Sequence, residues 1–263
     1  MPNIGTAIRS FRMDSLQRKL ASRDLQKNGC DFCDEIHWKP FSFADLGMLS
    51  RHGSRVHQLD DRLGVVCIPD RSPLADAHLL ICTRMHLSNF GHAGAASLRE
   101  SASLIIQLAL RSITGPNCVL FFEHGSRSCT HPKGCVDHAH IHVVPLPIFD
   151  GKRLFSILEA EYGHSVLSSS DQLCTVFSGR RQIRNKDYLL VGIVGSDSIV
   201  KLYDADFIPS QYIRYVVAEM LNVDPHKKQL VDLQRAFMRT EAWISSLRRE
   251  FLLNRLREVC GRA

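Results

Sequence analysis

The densest chemistry in the 263-residue chain lies in His138-Ala139-His140-Ile141-His142-Val143-Val144. In a strand, alternate residues share a face, so the three imidazoles align with neighbours about 6–7 Å apart. Ala139, Ile141 and Val143 then point the other way, into a core. Imidazole is a metal ligand and, when neutral, a nucleophile near pH 7. The strand alone is therefore consistent with a metal cluster or with a nucleophilic histidine flanked by helpers. A metallohydrolase cluster calls for carboxylates nearby, and Asp137 falls on the face opposite the histidines. A second constellation is Cys30-Asp31-Phe32-Cys33, after a turn at Asn28-Gly29. A lone Cys-x-x-Cys needs two more ligands to fill a tetrahedral site. Cys129 with Cys135, or histidines, are the candidates, and a redox pair or plain core thiols are the uses without a metal.

These residues need a scaffold, and the composition bounds it. A chain of this length holds one large domain, or a medium domain with an extension. Charged residues at 23% and hydrophobic ones at 44% fit a globular protein and exclude disordered, collagen-like or coiled-coil chains. No apolar run is long enough to span a bilayer, so no membrane partner is expected. The formal net charge is only +6, which suits a phosphate-bearing small molecule and does not call for nucleic acid. Nine cysteines without a secretory leader pattern point to reduced thiols and a cytoplasmic location. The first 29 residues form an N-terminal extension in which Ile4, Ile8, Phe11, Leu16 and Leu20 fall on one helical face. An amphipathic helix docked on the domain is expected there. A transit peptide is the other interpretation of its basic character.

The elements that would position the histidines follow in order. Residues 60–68 read as a strand ending at Pro69, and His78-Leu79-Leu80-Ile81-Cys82 as its hairpin partner. Ser97-Leu98-Arg99-Glu100 has capping-box spacing before apolar residues at Leu98, Ala102, Ile105, Leu108, Ala109 and Ile113, so a helix is predicted until Gly115-Pro116. Residues 118–122 form a short buried strand, and the histidine strand closes at Pro145 and Pro147. This order predicts an α+β domain with an antiparallel sheet and one main helix over residues 30–149. Residues 150–263 are expected as an α/β C-terminal extension. It has strands near 174–177, 189–194 and 199–203, then helices near 210–221 and 229–259, and carries no chemistry motif.

His138 to Val144 matches His-x-His-x-His followed by two apolar residues, and so resembles the signature of the histidine-triad (HIT) family. Upstream features agree in order. Cys30-Asp31-Phe32-Cys33 resembles the Cys-x-Phe-Cys that opens many members. Asp70-Arg71-Ser72-Pro73 resembles Asp-x-x-Pro, Ala77-His78-Leu79-Leu80-Ile81 the Gly-His-apolar strand, and Arg84-Met85-His86 the basic-x-His. Phe122-Glu123-His124-Gly125 is similar to the loop that embraces phosphates, both in this family and in galactose-1-phosphate uridylyltransferase. The resemblance covers about residues 30–147 and implies a HIT-like sheet. It also implies a structural zinc on Cys30, Cys33, His86 and His138, in the manner of the zinc-bearing and uridylyltransferase branches.

The same resemblance implies that His140 attacks the α-phosphorus of a nucleotide, and that His142 contacts the phosphate or the leaving oxygen. Asp70 matches the ribose-binding acid. Glu123, Gly125, Ser126, Gly134 and Cys135 fall in the phosphate-binding loop. Where many members carry Ser, Thr or Gln before the triad, this chain has Gly134 and Cys135, which leaves backbone N–H groups, Ser126, Ser128 or Thr130 as donors. The implied function is hydrolysis or transfer of a nucleoside monophosphate unit from an anhydride or phosphoramidate. Transfer to a sugar phosphate or inorganic phosphate is the nearest alternative. A zinc-stabilised module that binds nucleotides without turnover is an alternative of another class. In the last helix, Leu233, Phe237, Ile244, Leu247 and Phe251 recur near 3.5-residue spacing, which suits packing on the core or on a second copy in a homodimer.

Overall fold

The fold is taken from a computed structural model, described over residues 30, 32–33, 36, 59–92, 95–112, 118–125, 138–146, 150–163, 167–169, 187–195, 198–204, 211–223 and 230–260. The expected N-terminal helix and the strand near 174–177 lie outside the described residues, as do Ser126, Gly134 and Cys135. Among the described residues there are seven strands: β1 Val65–Pro69, β2 Leu79–Thr83, β3 Cys118–Gly125, β4 His140–Leu146, β5 Leu167–Ser169, β6 Tyr188–Gly195 and β7 Ile199–Asp204. They form one sheet in the order β1-β2-β4-β3-β6-β7-β5. Every neighbouring pair is antiparallel. The helices are α1 Ala96–Ser112, α2 Gly151–Tyr162, α3 Tyr212–Met220 and α4 Leu230–Cys260. Helices and antiparallel strands are segregated, so the fold is α+β.

The C-terminal region was expected to be α/β, but its strands pair antiparallel and continue the sheet begun before residue 150. β6 runs against β3 over eight residues, from Cys118↔Gly195 to Gly125↔Tyr188. Backbone pairing thus joins the two parts of the chain along a full strand. Helix α2 was not anticipated. Asp150 caps it by accepting from Arg153 N at 3.0 Å, and Leu154, Phe155 and Leu158 are its buried side. No helix among the described residues is long and apolar enough to cross a membrane.

Period-two alternation sorts β4 between two environments. Ala139, Ile141 and Val143 enter a core built with Val65, Leu79, Phe121 and α1, and closed by Trp243, Ile244, Leu247 and Phe251 of α4. Val144 and Leu146, on the other face, pack with Leu120 and Phe122 under α2 and α3. A smaller cluster of Cys30, Phe32, Cys33, Val66, Ile68, Leu80 and Cys82 covers the opposite end of that face. His140 and His142 lie between these two apolar patches, paired across the sheet with Cys82 and Leu80 of β2. Gly64 turns the chain into β1 in the left-handed region at φ 67°, where a Cβ would also meet Leu98 at 2.7 Å.

Candidate active site and metal cluster

Each of the three histidines is held by a different partner, and the partner fixes which nitrogen carries the proton. His138 sits just before β4 and is fully buried. Its Nε2 lies 2.6 Å from the Thr83 carbonyl. A carbonyl only accepts, so Nε2 donates and Nδ1 keeps its lone pair. That Nδ1 points at Cys30 Sγ (3.6 Å) and Cys33 Sγ (3.5 Å), and His86 Nδ1 stands 3.3 Å from Cys33 Sγ. The four ligand atoms of Cys30, Cys33, His86 and His138 all lie within 4.8 Å of one another, so the group could hold a metal ion. The carbonyl behind His138 is the outer support that usually orients a ligating imidazole. Sequence separations of 105 and 108 residues are closed here, which ties the N-terminal segment to the histidine strand.

His140 has the reverse arrangement. Its Nδ1 lies 2.7 Å from the His138 carbonyl, so Nδ1 donates and Nε2 carries the lone pair. Among the described residues no hydrogen bond occupies that Nε2, and His140 is only partly buried. Burial pushes its pKa below the usual histidine range, against the bond to the carbonyl and the Asp70 charge. A neutral imidazole whose second nitrogen keeps its lone pair has the chemistry of a nucleophile. The Phe32 ring, 5.2 Å away, covers one side of it.

The state of His142 is set through His78. The Leu74 N–H donates to His78 Nδ1 at 3.1 Å, which leaves the His78 proton on Nε2. His78 Nε2 lies 3.0 Å from His142 Nδ1. His142 Nδ1 therefore accepts, and its own proton belongs on Nε2. Phe122 stacks on the ring at 4.5 Å and 13° and fixes its plane. Burial drives His78 down to about 4 and His142 well below its ordinary range, so both are neutral near pH 7. The strand thus offers, in order, a lone pair for a metal, a lone pair for attack and an N–H for donation.

Asp70 is turned toward protein groups, with only 7% of its side chain exposed. One oxygen accepts from Ser72 N at 2.6 Å. The other accepts from Arg214 Nη1 at 2.8 Å and lies 3.4 Å from His142 Nδ1 and 3.7 Å from His78 Nε2. Burial alone would raise the pKa of Asp70, but the attraction of His78, Arg214 and His142 outweighs it and holds the group well below the carboxylate range. Asp70, His78 and His142 also come close enough to hold a cation. Yet the shared carboxylate oxygen already carries a guanidinium, and a second cation beside it would be repelled. This group acts as a hydrogen-bond relay.

The other sequence-derived candidates fall on β3. Glu123 points inward, 1% exposed, and its oxygens accept from Phe90 N (2.8 Å) and the Tyr188 hydroxyl (2.6 Å). Burial pushes it up to about 7. Gly125 backs onto the Tyr188 ring, where a Cβ would meet ring carbon at 2.0 Å. Both residues therefore shape the end of β3 through Tyr188, which also accepts from Gly91 N. Sequence reasoning placed His78 only within a strand motif and missed Arg214. Nothing in the residues around Arg214 marks it, since an arginine on a helix is an ordinary solvated residue. No protein-family model matches the chain, and no curated protein matches it.

Proposed function

We propose that this chain is a histidine-triad enzyme, with a HIT-like sheet, that cleaves or transfers a nucleoside monophosphate unit through His140. The observation that carries this is the ordered set of ring-nitrogen contacts on one strand: His140 Nδ1 at the His138 carbonyl, which leaves Nε2 to attack, and His142 Nδ1 at His78 Nε2, which leaves an Nε2–H on the next imidazole of the same face. The His140 lone pair forms a bond to the α-phosphorus, and the bond to the leaving oxygen or nitrogen breaks with its electron pair. His142 Nε2–H donates to the charge that develops there, and such a preorganised donor contributes on the order of 3–4 kcal/mol. Water or a second phosphate-bearing acceptor then displaces the histidine.

The metal that suits the Cys/His cluster is zinc in a structural role. With Zn–S and Zn–N bonds of about 2.3 and 2.05 Å, a tetrahedral site has S···N edges of about 3.6 Å. Three of the four S···N separations here are 3.3, 3.5 and 3.6 Å, and the fourth, from Cys30 to His86, is within 4.8 Å. Zinc held by Cys30, Cys33, His86 and His138 would leave no open ligand position, and would act by fixing the strand that carries His140.

Rapid quenching with a nucleotide labelled at the α-phosphate tests the function. An adduct that is labile in acid and stable in base is expected, and it should vanish in His140→Ala while the metal content stays unchanged. Near-normal turnover by His140→Ala, or a rate that follows added metal, would return the site to metallohydrolase chemistry.

A further inference from the structure

Arg214 stands 144 residues from Asp70 in sequence and is buried against it. One guanidinium nitrogen binds the Asp70 carboxylate and another binds the Ser72 carbonyl. The loop it grips carries both ends of the relay, because Asp70 N donates to the His78 carbonyl at 2.9 Å. Helix α4 braces the same loop from a second side. His78 N donates to Thr240 Oγ1 at 3.0 Å, and Arg235 and Arg239 pair with Asp76.

Two proton positions compete at His142 Nδ1. It can accept from His78 Nε2–H at 3.0 Å, or carry its own proton toward Asp70 at 3.4 Å. A bare buried carboxylate would favour the second, since it draws a proton or an imidazolium toward itself. Among the described residues, the groups that face His142 are Asp70 and His78, with His140 beside it on β4 and His124 on the same face of β3, and Arg214 stands behind Asp70. Among the described groups bound to Asp70, only Arg214 carries a permanent positive charge.

We propose that Arg214 is a positioning residue for the histidine strand: by occupying the shared oxygen of Asp70, it keeps the Nδ1 of His142 an acceptor and its Nε2–H aimed at the reacting group. The C-terminal region thereby supplies part of the site's proton order without touching the substrate. The reacting group in this assignment is that of the function proposed above, whereas the proton order itself can be read without any substrate.

The test uses the full chain with ¹⁵N-labelled histidine, in which ring nitrogen shifts report the tautomer and the titration of each imidazole. In the wild type at pH 7, His142 should show a bare Nδ1 and a protonated Nε2. In Arg214→Gln, Nδ1 should become protonated and the midpoint of His142 should rise by about 1–3 units, the scale of an unbalanced neighbouring charge. Arg214→Lys should restore the wild-type pattern in large part. Asp70→Asn added to Arg214→Gln should restore it as well, and covers the case in which the single variant folds poorly. With a nucleotide that the wild type turns over, Arg214→Gln should lower kcat by up to about 10²-fold, with KM little changed. An unchanged tautomer in Arg214→Gln, or a rise in KM with kcat intact, would overturn the assignment. Absence of any nucleotide turnover by the wild type would overturn only the proposed function, because the nitrogen shifts do not depend on it.

Discussion

Two groups of ligand-type side chains lie on either side of His140 along one strand, and charge separates them. The His138 group offers two sulfurs and two imidazole lone pairs, with the His138 proton committed to the Thr83 carbonyl. The His142 group offers two imidazoles and a carboxylate, but the carboxylate is already matched by Arg214. Both are compact enough for an ion. Proximity of histidines, cysteines and acids is therefore a weak guide to metal binding. The positive charge the protein itself supplies decides whether a cluster has room for another cation.

This contrast can be broken most forcefully at the thiols. A Cys30→Ser/Cys33→Ser double variant should lose its metal by elemental analysis and lose much of its thermal stability. The binding free energy of a structural metal is folding free energy, on the order of 10 kcal/mol in small domains. Asp70→Asn, at the other cluster, should leave metal content unchanged. Equal metal loss from both variants would erase the distinction.

A middle-sized effect should come from acid. The unfolded chain protonates His78 near 6.5, whereas the folded chain does so only at about 4, because burial opposes the charge. The unfolded state thus binds more protons between these values, so stability falls as the pH drops through that window and levels off below it. The full span corresponds to roughly 3 kcal/mol. Denaturant titrations of wild type and His78→Gln at several pH values should differ in slope between pH 6.5 and 4. Parallel slopes would mean that His78 is not buried neutral, and that the relay is assembled differently.

The smallest effect should be at the exposed end of the brace. Asp76, Arg235 and Arg239 are all more than half exposed. Water and salt screen such pairs, so Arg235→Ala should cost below about 1 kcal/mol in chemical denaturation. A loss as large as that from a buried group would show that α4 holds the loop through its charges more than through Thr240 and the apolar side of the helix.

Much of β4 was legible because a strand has period two, and three same-face histidines leave little freedom in where they point. Strand β2 and the helices α1, α3 and α4 also fall close to their expected spans, since apolar spacing marks them, whereas the strand expected over residues 60–68 starts only at Val65, because Asp60 caps a 3-10 turn over Asp61–Leu63 that ends at left-handed Gly64. Helix α2 was missed although Asp150 and Leu154, Phe155 and Leu158 carry its cap and its buried side. The segment follows Pro145 and Pro147 and packs its apolar side where the sheet offers it a surface. The extension's place beside β3 had no local signal, because pairing between β3 and β6 is decided by two faces that meet only in the folded chain. Arg214 was invisible for the same reason. Its role lies in Asp70 and Ser72, which are far away in sequence.

The alternation along β4 has a mechanical consequence. Ile141 and Val143 hold the main core, while His140 and His142 between them face the opposite side, and all four share one backbone rail between β2 and β3. A slip of one residue would exchange the imidazoles with the aliphatics, burying polar rings in the core and turning isoleucine and valine toward the site. Chemistry and folding on this strand are geared together, tooth against tooth. A single inserted residue between 139 and 143 would disengage both at once, and no repair confined to the histidines could bring either back.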